Sequence, residues 1–132
     1  MIVISALACI LLVGMGSVAA GTRYSYQVFI NDASRYANGS MADARGSGDA
    51  VQQIGCWSNG IAGSAAYNGS CIATNAAGLT RSCSTNDVNV IAAIRSITNE
   101  SRIYFIWNID GTCNYVFVEN NSWNKPASVS SY

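Results

Sequence analysis

Two nearly unbroken apolar runs, Ile103–Trp107 and Cys113–Val118, flank the polar stretch Asn108-Ile-Asp-Gly-Thr112. The pattern predicts a hairpin over 102–118, because Asp110-Gly111 supplies the two residues of positive φ that a type I′ turn needs. Pairing across that turn sets Trp107 opposite Asn114, Phe105 opposite Val116 and Ile103 opposite Val118. The other face then carries Tyr104, Ile106, Cys113, Tyr115 and Phe117. Both faces are apolar or aromatic, unlike the alternation of a sheet with one wet face. Either two layers cover the hairpin, or one face is left for a partner.

Upstream, the period changes from two to nearly four. Val88, Ile91, Ala92 and Arg95 share one side of a helix over about 86–97, and Val90, Ile94 and Ile97 lie on another. That breadth predicts a well-buried helix. Ser84 or Asn86 can cap it, with Asp87 favourable near its positive end. Earlier still, Arg23–Ile30 has strand composition, with Tyr24, Tyr26, Val28 and Ile30 alternating against Ser25, Gln27 and Phe29. Residues 33–50 are small and glycine-rich, and Ser40–Arg45 has room for one helical turn before Gly46 and Gly48. The segment is either mobile or a close-packed backbone crossing that needs small residues. Val51–Trp57, Ser70–Thr74 and Leu79–Cys83 read as a three-strand meander with turns at Asn59-Gly60, Asn68-Gly69 and Asn75–Gly78. Residues 119–126 lead into a serine-rich tail expected to fray. The chain is therefore expected to be α+β, with an antiparallel sheet of about five to six strands packed on one main helix.

Composition adds a compartment. No charge precedes Arg23, and Val18-Ala-Ala20 closes an apolar run with small residues, which predicts a signal peptide over 1–20. An uncleaved anchor is the alternative, and Gly14, Gly16 and Ser17 favour cleavage. Residues 21–132 then form a single domain, secreted or periplasmic, with no membrane contact after cleavage. Four cysteines remain, Cys56, Cys71, Cys83 and Cys113. An even number behind a signal peptide argues for two disulfides. Of the three pairings, Cys56–Cys71 closing a local hairpin and Cys83–Cys113 tying the helix start to the last hairpin are favoured. Zinc fits poorly, since there is no Cys-x-x-Cys pair and no histidine.

The 7 basic and 7 acidic residues cancel, and the basic ones are scattered, which argues against nucleic acid. The absence of histidine removes Ser-His-Asp and Cys-His nucleophile systems. Among the carboxylates, a pair such as Asp87 and Glu119 would suit glycoside hydrolysis. The plainer roles are a helix-end charge for Asp87 and a solvent-facing strand end for Glu119. Asn86–Asn89 is oxygen-rich but lacks the glycine and distal glutamate of a calcium loop, so capping explains it better. No cofactor is expected.

The aromatic residues are the functional lead. Trp57, Tyr104, Trp107, Tyr115 and Trp123 are candidates for a platform on which a sugar or a partner chain packs. Phe105 and Phe117 are expected in the core. At Ile54-Gly-Cys-Trp57, Ser82-Cys83, Thr85, Asp87, Ile91-Ala-Ala93, Arg95-Ser96, Ile103, Phe105, Trp107, Gly111 and Cys113 the chain resembles a group of small secreted bacterial proteins with four cysteines in this order. The resemblance covers roughly residues 36–126. It implies a bacterial, exported, disulfide-bonded α+β domain and brings no activity with it. Three readings follow. The first is a non-catalytic binding module for glycan or protein. The second is a subunit that self-assembles through the hairpin 102–118, and the third a small carboxylate-dependent hydrolase.

Overall fold

The computed structural model describes residues 22–64 and 67–124. The expected signal segment 1–20 and the tail beyond Asn124 lie outside them. The strands are β1 (Phe29–Asn31), β2 (Tyr36–Ser40), β3 (Gln53–Gly60), β4 (Tyr67–Thr74), β5 (Thr80–Thr85), β6 (Arg102–Trp107) and β7 (Cys113–Glu119). Two helices, α1 (Met41–Arg45) and α2 (Val88–Arg95), interrupt them. The fold is α+β, but the strands divide into two antiparallel sheets rather than the single sheet expected. One has the order β1-β2-β6-β7, and the other is the meander β3-β4-β5.

The division follows from β2, a strand the sequence disguises. Tyr36-Ala-Asn-Gly-Ser40 has the composition of a turn, yet it pairs with β1 on one side and β6 on the other. Its small residues are there for proximity. Ala37 faces Phe105 and Gly39 faces Ile103 in register. A Cβ at Gly39 would stand 3.1 Å from Val28 Cγ2 and 3.2 Å from the Val28 backbone. The part of the glycine-rich segment in β2 is thus a close-packed crossing, whereas residues 45–50 are largely exposed. Gly39→Ala is expected to cost about 1–3 kcal/mol through overpacking. An unchanged urea midpoint would show that the Val28 backbone yields freely.

Inner faces of both sheets contribute to one core. Ala37, Ile103, Phe105, Trp107 and Val116 of the larger sheet join Ile54, Cys71, Ala73 and Cys83 of the smaller, with Val28, Ile30, Ala44 and Ile94. Helix α2 lies against β7, β3 and β4. It is shorter and less buried than its apolar breadth suggested: only Ile91 and Ile94 are fully covered, and Val88 is exposed. The cap is Asp87, not Ser84 or Asn86. Its Oδ1 accepts from the N–H groups of Asn89 (2.8 Å) and Val90 (3.1 Å), two of the donors that a helix start leaves unsatisfied.

Disulfides Cys56–Cys71 and Cys83–Cys113 staple this arrangement. Two such bridges belong to an oxidising compartment. Cys56, Cys71 and Cys83 stand abreast across β3, β4 and β5, and the second bridge crosses from that row to β7. On the surface, Asp49 holds the turn into β3. A side-chain hydrogen bond from Gln52, then the backbone N–H groups of Val51 and Gln52, keep its carboxyl well below the usual carboxylate range.

The last hairpin keeps the expected pairs of Phe105 with Val116 and Ile103 with Val118, but departs from expectation at its turn. Among 109–111 only Gly111 has positive φ (83°). Its N–H donates to Asn108 O (3.0 Å), and Asn108 N–H donates to Thr112 O (2.9 Å). This is the longer hairpin loop closed by a left-handed glycine, not a type I′ turn. Asp110 instead accepts from the Thr112 hydroxyl and then from its N–H, which lowers its pKa. A bulge at Asn114 then pairs Trp107 with Cys113, not with Asn114. The extra residue shifts the phase and turns Cys113 inward beside Val116, where it can reach Cys83. On the expected register Cys113 would have pointed outward with Tyr115.

Candidate functional site

Strand β6 sorts its side chains by alternation: Ile103, Phe105 and Trp107 point inward, and Arg102, Tyr104 and Ile106 point outward. The strand register extends that outer face across the sheet. Phe29, Asn38, Tyr104 and Phe117 form one row, and Asn31, Tyr36, Ile106 and Tyr115 form the next. The rings touch in sequence: Phe29 to Tyr36 at 5.9 Å between centroids, Tyr36 to Tyr104 at 5.2 Å, and Tyr104 to Tyr115 at 6.2 Å. Phe29 is 53 % exposed, Tyr115 48 % and Phe117 41 %. The two-sided apolarity of the hairpin is thereby explained. One face is covered by the core, and the other meets solvent.

A polar end closes this aromatic face. Arg102 lies over the Tyr26 ring at 4.1 Å, donates through Nε to Asn38 Oδ1 (2.9 Å) and pairs through Nη1 with Glu119 Oε2 (3.2 Å). Beyond it, Tyr24 packs on Tyr26 and, edge-on, on Trp123 at 6.2 Å. The Tyr24 N–H donates to Trp123 O (3.2 Å), which fixes the chain's two described ends side by side.

A second feature lies on the smaller sheet. Trp57 of β3, 56 % exposed, borders a groove of about 640 Å³ with Asn68 and Gly69 of β4, Ser84 and Thr85 of β5, Asn86, Asp87, Thr112 and Cys113. The β5–α2 corner and the hairpin tip meet here, joined by the Ser84 N–H donating to Gly111 O (3.1 Å).

The five aromatic candidates from sequence do not form one platform. Tyr104 and Tyr115 share the outer face. Trp107 is directed into the core against Phe105, at 6.0 Å. Trp57 lies on the other sheet, and Trp123 is half-buried at the polar end. Phe117, expected in the core, is on the surface. The register is the reason: Phe117 pairs with outward-facing Tyr104, while Val116 shares the inward face with Phe105. Phe29 and Tyr36 complete the face, and only Phe29's place out of phase with Val28 and Ile30 hinted at it.

The carboxylates are dispersed. Asp87 caps α2 beside Cys113, whereas Glu119 is at the opposite end of β7, about 20 Å away by strand rise. Asp32 pairs with Arg81, and Asp43 accepts from the Tyr26 N–H (2.7 Å). Among the described residues no cluster of three or more His, Cys, Asp or Glu could hold a metal ion. No described helix is long and apolar enough to cross a membrane. The chain matches no known protein family, curated protein or solved structure.

Proposed function

We propose that the chain is an exported bacterial binding module, secreted or periplasmic, that acts without catalysis and holds a protein partner on the outer face of its four-stranded sheet. The single observation that carries this reading is the unbroken aromatic series Phe29–Tyr36–Tyr104–Tyr115 on the outer face, with Phe29 and Tyr115 exposed, Tyr36 and Tyr104 half-buried, and exposed Phe117 beside it. Contiguous exposed apolar surface rimmed by polar groups marks interaction sites, and tyrosine and phenylalanine are enriched in them. The rings favour protein over sugar. Tyr36 and Tyr104 stack on each other, and Tyr115 meets Tyr104 edge-on, so their faces are occupied and a partner meets edges and hydroxyls.

A photoreactive phenylalanine analogue in place of Phe117 tests the reading in the cells that produce the protein. One discrete adduct is expected, lost when Tyr104→Ser and Tyr115→Ser are added. The same analogue at the exposed tip residue Ile109 should give none. Absence of an adduct from position 117, or identical adducts from both positions, would sink the proposal.

A second reading, self-assembly through the 102–118 hairpin, draws on the charge pattern. Arg102 and Glu119 neutralise each other, so two copies can bring this face together without repulsion. Light scattering of the oxidised protein separates the two. A monomer at all concentrations excludes self-assembly, and a concentration-dependent dimer abolished by the same tyrosine variants establishes it.

A further inference from the structure

The groove beside Trp57 offers a different chemistry from the outer face, and we infer that it is a binding site for a short, uncharged oligosaccharide. Its size lies within the range of small-ligand sites, about 300–1,000 Å³. The inference rests on three independent properties of its lining.

The first is an open aromatic face. Trp57 takes part in none of the ring pairs that occupy the tyrosines of the other sheet, more than half of its surface is exposed, and it borders the groove. A pyranose ring has a face of C–H groups and a rim of hydroxyls. An indole suits the C–H face, being broad, apolar and rigid.

The second is a set of unspent polar groups. Asn68 and Asn86 keep their side-chain amides, and Ser84 its hydroxyl, free of hydrogen bonds within the described protein. Asp87 commits only Oδ1 to the cap of α2, which leaves Oδ2 for an incoming hydroxyl. Each amide both donates and accepts, as sugar hydroxyls do. Asp87 is the one ionisable side chain in the lining, and no cation accompanies it. Phosphate, sulfate and carboxylate ligands are thereby disfavoured, and a neutral polyol is left.

The third is preorganisation. Cys56 precedes Trp57, Cys83 precedes Ser84, and Cys113 itself lines the groove. Both disulfides therefore anchor the residues that would touch the ligand. A site held rigid before binding loses less entropy when the ligand arrives.

The test titrates the full oxidised chain with cellotetraose, chitotetraose and mannotetraose, following tryptophan emission and calorimetric heat. At least one of these should bind saturably. Trp57→Ala should weaken that binding tenfold or more, and Asn86→Ala should weaken it several-fold, with the circular dichroism spectrum unchanged. Since Trp57 is largely exposed, its loss should leave the fold intact, and Asn86→Ala supplies a second variant on a different element. Reduction of the disulfides should abolish binding. The outer-face variant Tyr104→Ser with Tyr115→Ser should bind as the unaltered protein does, which separates this site from the protein-binding face. The inference fails if none of the three sugars binds, if Trp57→Ala binds undiminished, or if a sulfated tetrasaccharide binds more tightly than every neutral one.

Discussion

Phe105→Ala is expected to lower stability by about 3–5 kcal/mol, the range for emptying a fully buried aromatic site. Phe105 has no exposed surface and occupies the middle of β6, with Ala37 and Val116 as its register partners and Trp107 against it. Ala37 is too small to fill the void, and β6 is paired on both sides, so the strand cannot collapse into it. Phe117→Ala removes the same side chain from the neighbouring strand but from the solvent side. Its loss forfeits a cross-strand contact with Tyr104, worth roughly 0.2–1 kcal/mol. The two variants, compared by urea denaturation, measure which face of the hairpin is the core. Equal losses would contradict the inward and outward assignment described above.

Removal of the Cys83–Cys113 bridge should have an effect of similar size. The bridge closes a loop of 30 residues, for which restriction of the unfolded chain gives about 3.5 kcal/mol. Alanine is the appropriate replacement at both positions, because both are buried and serine would leave hydroxyls without partners. Both must change together. Cys83 faces Cys71 in register, so a lone Cys83 thiolate would stand next to the Cys56–Cys71 bridge and exchange with it. The double variant should also loosen the hairpin tip, which would then be tied to β5 without a covalent bond, through the Ser84 to Gly111 hydrogen bond and the Ser84–Thr112 β-bridge. A loss under about 1 kcal/mol in denaturant midpoint would mean that the loop is already restricted in the unfolded chain.

Much of the local structure could be read directly from residue order. The meander β3-β4-β5 was visible from its alternating and β-branched residues and the turn at Asn75–Gly78, but Asn59-Gly60 and Asn68-Gly69, expected as turns, lie inside β3 and β4, where Asn59 pairs with Asn68. The helix was visible from its period, although its cap was misplaced by competition among three neighbouring polar residues. Strand β2 was not visible, since Gly39 is small for the sake of Val28, which crosses it, and Ala37 lies between Ile30 and the distant Phe105 in register.

The functional surfaces divide along the same line. The sequence by itself determined that the chain carries cysteines to brace it, an apolar hairpin with two apolar faces, and no histidine for the usual catalysis. Which face of that hairpin remains open was decided only by tertiary structure. A single extra residue at Asn114 reverses the direction of Cys113, and the second sheet covers whichever side then points to it. The groove likewise exists only in three dimensions, where Trp57, Asn86 and Thr112 come from separate elements. Local propensity acts between neighbours in the chain. Register and sheet packing act between segments tens of residues apart, and they decide what the surface presents.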